Sequence, residues 1–151
     1  MRALAACVQE LHGGCAAGPG RIFVYAHMSP ASTPTDLLLT IAEPTRLRIL
    51  NCLAAAPLFV SDLQVILDLP QPTVSRHLRV LKEADVVRDT PIAQFVLYRL
   101  RRDGGVRQRL LTAVLDAVGM DEQMKAERHL AADRSRSNPR VRMVTQTESL
   151  A

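Results

Sequence analysis

A mainly α-helical domain carrying one small β-hairpin is the fold class the sequence predicts, on three observations. The 151-residue chain is 48% hydrophobic yet holds no Trp, three Phe and two Tyr, so its core is aliphatic, which favours helices over a β-sandwich. From about Asp36 to Val118 apolar residues recur mostly at three- and four-residue steps, the period of one helical face. Between Gln94 and Leu100 that period gives way to strict alternation, with Phe95, Leu97 and Arg99 on one side and Val96, Tyr98 and Leu100 on the other, as a strand requires.

Residues 1–32, rich in Ala, Gly and Pro, show neither period and read as a flexible leader, with Met28 as an alternative start. Order is expected from Thr33-Pro34. A short apolar helix, Asp36 to Ala42, stops before Pro44, which opens a second helix at the position where a missing N–H costs nothing. The second helix carries Leu47, Ile49, Leu50 and Leu53 and ends by Pro57. A third is expected from Ser61, because Ser61-Asp62-Leu63-Gln64 has capping-box spacing ahead of Val65, Ile66 and Leu67. Asp68-Leu69-Pro70 is the turn into a fourth helix, Gln71 to about Ala84, with Val74, Leu78 and Leu81 on its buried face. Val86-Val87-Arg88 and Gln94–Leu100 are the hairpin strands, and Asp89 to Ala93 the tip. After Asp103-Gly104-Gly105 a closing helix carries Val106, Leu110, Leu111, Val114, Leu115 and Val118; Gly119 kinks or ends it, and a weaker helical stretch runs from Asp121 to about Ala132. The expected organisation is thus a 1–32 leader, a 33–132 domain and a disordered basic tail over 133–151. Three helices, a recognition-length helix, a hairpin and a closing helix make a winged helix-turn-helix.

Nineteen Lys and Arg against fifteen Asp and Glu leave a net charge of +4, nearly all of the positive charge arginine, which suits bidentate contacts to phosphate and guanine. No apolar run approaches the roughly 20 residues a membrane span needs. An odd count of three cysteines, Cys7, Cys15 and Cys52, suits a reducing cytoplasm. No nucleophile–base spacing, paired carboxylates or phosphate-cradling loop points to an enzyme.

Once Val74, Leu78 and Leu81 are assigned to the core, the fourth helix leaves Gln71, Thr73, Ser75, Arg76 and Arg79 exposed. An amide, short hydroxyls and guanidiniums are the groups that reach base edges and phosphates in a major groove. His77 falls between the buried and groove faces, where a phosphate or core-edge contact outweighs metal ligation. The stripe on the closing helix exceeds what so small a domain covers by itself, which predicts a two-fold dimer presenting two recognition helices to a pseudo-palindrome.

Ala42-Glu43-Pro44-Thr45-Arg46-Leu47-Arg48-Ile49-Leu50, then Asp62-Leu63, Gln71-Pro72-Thr73-Val74-Ser75-Arg76-His77-Leu78, Leu81-Lys82-Glu83-Ala84 and Leu97-Tyr98-Arg99-Leu100, in that order, resemble the arsenic-repressor (ArsR/SmtB) family over about residues 34–102. The resemblance implies a bacterial homodimeric repressor that leaves its operator on binding a metal ion or on thiol chemistry. It places Gln71, Thr73, Ser75, Arg76 and His77 in the recognition helix and the dimer interface on the first and last helices.

The chain departs from that pattern where inducers bind. Phe59 and Ser61 stand in place of a Cys-x-Cys pair. The closing helix offers only Asp116 and a late His129, and no cysteine to pair with Cys52. Three thiolates from Cys7, Cys15 and Cys52 suit arsenite or another soft ion if the leader folds back onto the second helix. Pro70 replaces a Ser cap, which removes about 1 kcal/mol of capping, while Pro72 presets a first-turn backbone angle. The hairpin tip Thr90-Pro91-Ile92-Ala93-Gln94 has no basic residue, although Arg88 at its base reaches a phosphate. An uncharged tip without metal sites also fits an alternative, a winged-helix dimer that binds a protein partner or represses without a metal inducer.

Overall fold

The computed structural model describes residues 33–142, and the leader 1–32 with Cys7 and Cys15 lies outside them. The elements are α1 (Pro34–Ile41), α2 (Pro44–Ala55), β1 (Leu58–Phe59), α3 (Val60–Leu67), α4 (Gln71–Glu83), β2 (Val87–Ile92), β3 (Phe95–Leu100), α5 (Gly105–Val118) and α6 (Glu122–Ser137). Caps account for several of these boundaries. Thr33 and Asp36 close a capping box that starts α1 at Pro34. The Glu43 carboxylate accepts the Thr45 and Arg46 N–H groups at the start of α2. Asp68 at φ 54° and Asp85 at φ 58° adopt the left-handed backbone that Asp tolerates, and so end α3 and follow α4 with tight turns.

Leu37, Ile49, Leu50, Leu53, Leu63, Val74, Leu78 and Leu81 form an aliphatic core in which every helix shares. That core packs the α3–turn–α4 unit against α2. The three strands form an antiparallel sheet in the order β1-β3-β2, with Leu58 opposite Tyr98 and Val87 opposite Leu100.

The structure corrects the expectations at five places. First, α3 starts at Val60, not Ser61. Its cap is half a box: Phe59 has no acceptor, but the Asp62 carboxylate takes the Phe59 N–H at 3.2 Å. Asp62→Ala would leave that buried donor unpaired and is expected to cost about 1–3 kcal/mol in a urea melt; a change below about 0.5 kcal/mol would sink the assignment.

Second, β1 was not foreseen, because two residues carry no period. Third, the hairpin is longer than its tip suggested. Pro91 lies inside β2 opposite Val96, and the loop is only Ala93-Gln94, Ala93 taking φ 53°. Pro91 fits because β2 is an edge strand.

Fourth, the closing stripe is only partly available to a partner: Leu111 and Leu115 are buried within the chain's own core, and Leu110 and Val114 pack partly against it. Fifth, the basic tail does not begin at Asp133. Beyond Gly119, α6 is a separate helix that turns back over α2 and α3 and continues to Ser137. A further helical turn over residues 139–142 buries Val141 against Phe59 and Leu97.

The anchor of α6 is polar. Arg48 donates from Nε at 2.9 Å and Nη2 at 2.6 Å to Glu127 Oε1, which also accepts from Gln123, and Asn51 donates to the Met124 carbonyl. Arg134 lies 3.6 Å from Asp62, tying α6 to the start of α3.

Candidate nucleic-acid interface

The recognition candidate α4 is a 13-residue amphipathic helix whose apolar side, Val74, Leu78 and Leu81, is fully enclosed. Gln71, Ser75, Arg76 and Arg79 are exposed, and Thr73 is half-buried on the flank. Arg76 and Arg79 sit one turn apart and make no hydrogen bond or ion pair among the described residues, whereas Arg46, Arg48, Arg88, Arg101, Arg107 and Arg134 all do. Two solvated guanidiniums beside a serine hydroxyl can donate to phosphate or to guanine edges.

His77 differs from its neighbours. Its Nδ1 lies 3.3 Å from Glu43 Oε2, so the imidazole faces the cap of α2 and docks the recognition helix onto it. Burial raises the Glu43 pKa, but hydrogen bonds from the Arg46 and Thr45 N–H groups outweigh it and hold the carboxyl below its ordinary range. The carboxylate therefore stays ionised and available to His77. That link escaped the sequence reading, although a Glu directly before Pro44 was a signal for a capping side chain. At the other end of α4, Lys82 pairs with Asp89 of β2 at 2.7 Å, joining the helix to the hairpin.

Backbone donors at the start of α4 are few. Pro70 gives no side-chain cap, Pro72 has no N–H, and the Thr73 N–H bonds the Pro70 carbonyl at 3.0 Å. The Gln71 N–H and the positive end of the helix dipole remain for an anion.

Cys52 is fully buried under α6 as a free thiol, and burial, reinforced by Glu127, pushes its pKa up to about 12. The described residues hold no group of three His, Cys, Asp or Glu able to ligate a metal. None of the described helices is long and apolar enough to cross a membrane.

A tight-turned helix pair whose second helix presents solvated arginines, flanked by an antiparallel wing, defines a winged helix-turn-helix DNA-binding protein. Residues 43–89, which span α2 to the start of β2, match the model of the bacterial regulatory protein, arsR family. Curated relatives agree. The chain is 38% identical over 88 residues to a biofilm growth-associated repressor of Agrobacterium fabrum, covering 58% of this chain and 75% of that one. It is 38% identical over 81 residues to an arsenic resistance transcriptional regulator of Pseudomonas putida, covering 53% and 63% of the two chains. It is 40% identical over 83 residues to the transcriptional repressor SmtB of Mycobacterium tuberculosis, covering 55% and 58%. The chain belongs to the arsR family of regulators; it is a DNA-binding transcriptional regulator and not an enzyme.

Proposed function

We propose that this regulator is a cytoplasmic homodimeric repressor whose two α4 helices enter successive major grooves of an operator. The observation that carries this reading is the exposed, unpaired couple Arg76 and Arg79 beside Ser75 on a helix held at one end by Glu43–His77 and at the other by Lys82–Asp89. Gln71, Thr73, Ser75, Arg76 and Arg79 reach bases or phosphates, while His77 positions the helix. The dimer is supported by apolar surface on the paired helices α1 and α5: Leu38, Leu39 and Val106 are 42%, 66% and 60% exposed. A second copy would cover them and set the spacing between recognition helices.

The inducer is a separate proposal. Cys7, Cys15 and Cys52 would bind arsenite or another soft ion as thiolates, in keeping with the relative named for arsenic resistance. The Cys52 proton would have to leave a site that holds it to about 12, so ligation requires α6 to lift from α2.

One titration tests both readings: fluorescence anisotropy with the DNA upstream of the gene and with a scrambled duplex, at two salt concentrations, with and without arsenite. Two protomers per upstream duplex, preference over the scrambled one and steep loss of affinity with salt are expected. One protomer per duplex or no preference would overturn the repressor reading. Arsenite release that survives replacement of all three cysteines by Ser would overturn the thiolate site.

A further inference from the structure

Winged proteins that grip DNA beside the recognition helix need cations near the wing tip, and this tip has none: Pro91, Ala93 and Gln94 are exposed and uncharged. The cations come instead from the far end of the chain. After α6 the backbone crosses to the wing, where Val141, 3% exposed, packs on Phe59 and Leu97 with Ile92 and Phe95 at the margin. Phe95 is held edge-to-face by Phe59 with ring centroids 6.0 Å apart, and the Arg140 guanidinium lies over its face, 4.4 Å from the centroid. The Arg140 backbone N–H donates to Asn138 Oδ1 at 3.1 Å, which orients the turn. Residues 133–142 hold four arginines against one aspartate, Asp133, which pairs with Arg136.

We infer that Arg140, carried to the wing tip by the C-terminal strap, is a phosphate-binding residue for the operator backbone flanking the major groove that α4 reads. This rests on the DNA-binding reading of α4 and extends the interface along the duplex. A guanidinium held over an aromatic face is placed before DNA arrives, and its five N–H donors exceed what the ring can engage. Arg140 is exposed, so a phosphate can reach it. The charge of the surface complements DNA, and the patch is continuous with the wing joined to α4 through Lys82–Asp89.

The experiment compares the full chain with Arg140→Gln and Arg140→Lys by anisotropy on a 40-base-pair upstream duplex and on its scrambled counterpart, from 50 to 300 mM salt. For Arg140→Gln, affinity should fall on both duplexes alike. The slope of log K against log salt should flatten by about 2 for a dimer, one released counterion per lost cation. Arg140→Lys should restore the slope, since charge and not ring stacking is read by phosphate. Circular dichroism melts of the three proteins should coincide. Unchanged binding by Arg140→Gln, or weaker binding at an unchanged slope, would overturn the inference: the strap would then only position the wing. Wild-type protein that binds no duplex would defeat the α4 reading as well, which separates the two failures.

Discussion

Arg76→Ala is expected to weaken binding to the operator by roughly 5- to 150-fold, equivalent to about 1–3 kcal/mol, and to relax discrimination at one base position. The side chain is exposed and makes no hydrogen bond or ion pair among the described residues, so removing it disturbs no fold contact and the melting temperature should stay within a degree or two. Anisotropy against a panel of single-base operator variants measures the effect. A loss that is uniform across the panel would reassign Arg76 to the backbone, and no loss would remove α4 from the interface. Arg140→Gln should behave in the opposite way, weakening all sequences alike. The pair of variants therefore sorts base reading from charge neutralisation on one molecule.

Glu127→Ala carries the largest expected effect on stability, about 3 kcal/mol. Its carboxylate is nearly enclosed, and one oxygen, Oε1, gathers both Arg48 donors and Gln123. Removing it strands the Arg48 guanidinium against α2, with only the Leu67 carbonyl at 3.2 Å still accepting. A fully buried pair broken this way loses about 3–5 kcal/mol. Arg48 is 22% exposed and recovers some hydration, which places the effect at the low end. Urea unfolding measures it, and a cost under about 1 kcal/mol would show that α6 docks without the pair. The double variant Arg48→Leu with Glu127→Leu should recover most of the loss, because replacing both partners by apolar groups removes the desolvation penalty along with the attraction. Release of α6 would also uncover Cys52, so Glu127→Ala should make that thiol reactive to alkylation near neutral pH, where the parent thiol, buried and held protonated to about 12, is expected to be inert.

Local signals in the sequence determined the helical elements, the recognition helix and the face it exposes. The steps Val74, Leu78 and Leu81 leave only one way to bury α4, and Gln71, Ser75, Arg76 and Arg79 are exposed as a consequence of that period. The prolines at 44, 57 and 70 marked boundaries for the same reason, since a missing N–H or a fixed φ acts within a turn of its own position. Tertiary structure alone decided the rest. His77 reads as lying between the buried and groove faces, with a phosphate or core-edge contact both open, until Glu43, 34 positions earlier, is placed beside it. The hairpin tip moved because Pro91 is acceptable on an edge, and edge status depends on strand order. The basic tail looked disordered because polar composition hides long-range contacts: Arg134–Asp62 and Arg140 on Phe95 each join residues distant in the chain, as Arg48–Glu127 does for the helical stretch before it. Periodicity reports a residue's neighbours within one element, whereas an ion pair or a stacked ring between elements leaves no trace in sequence spacing.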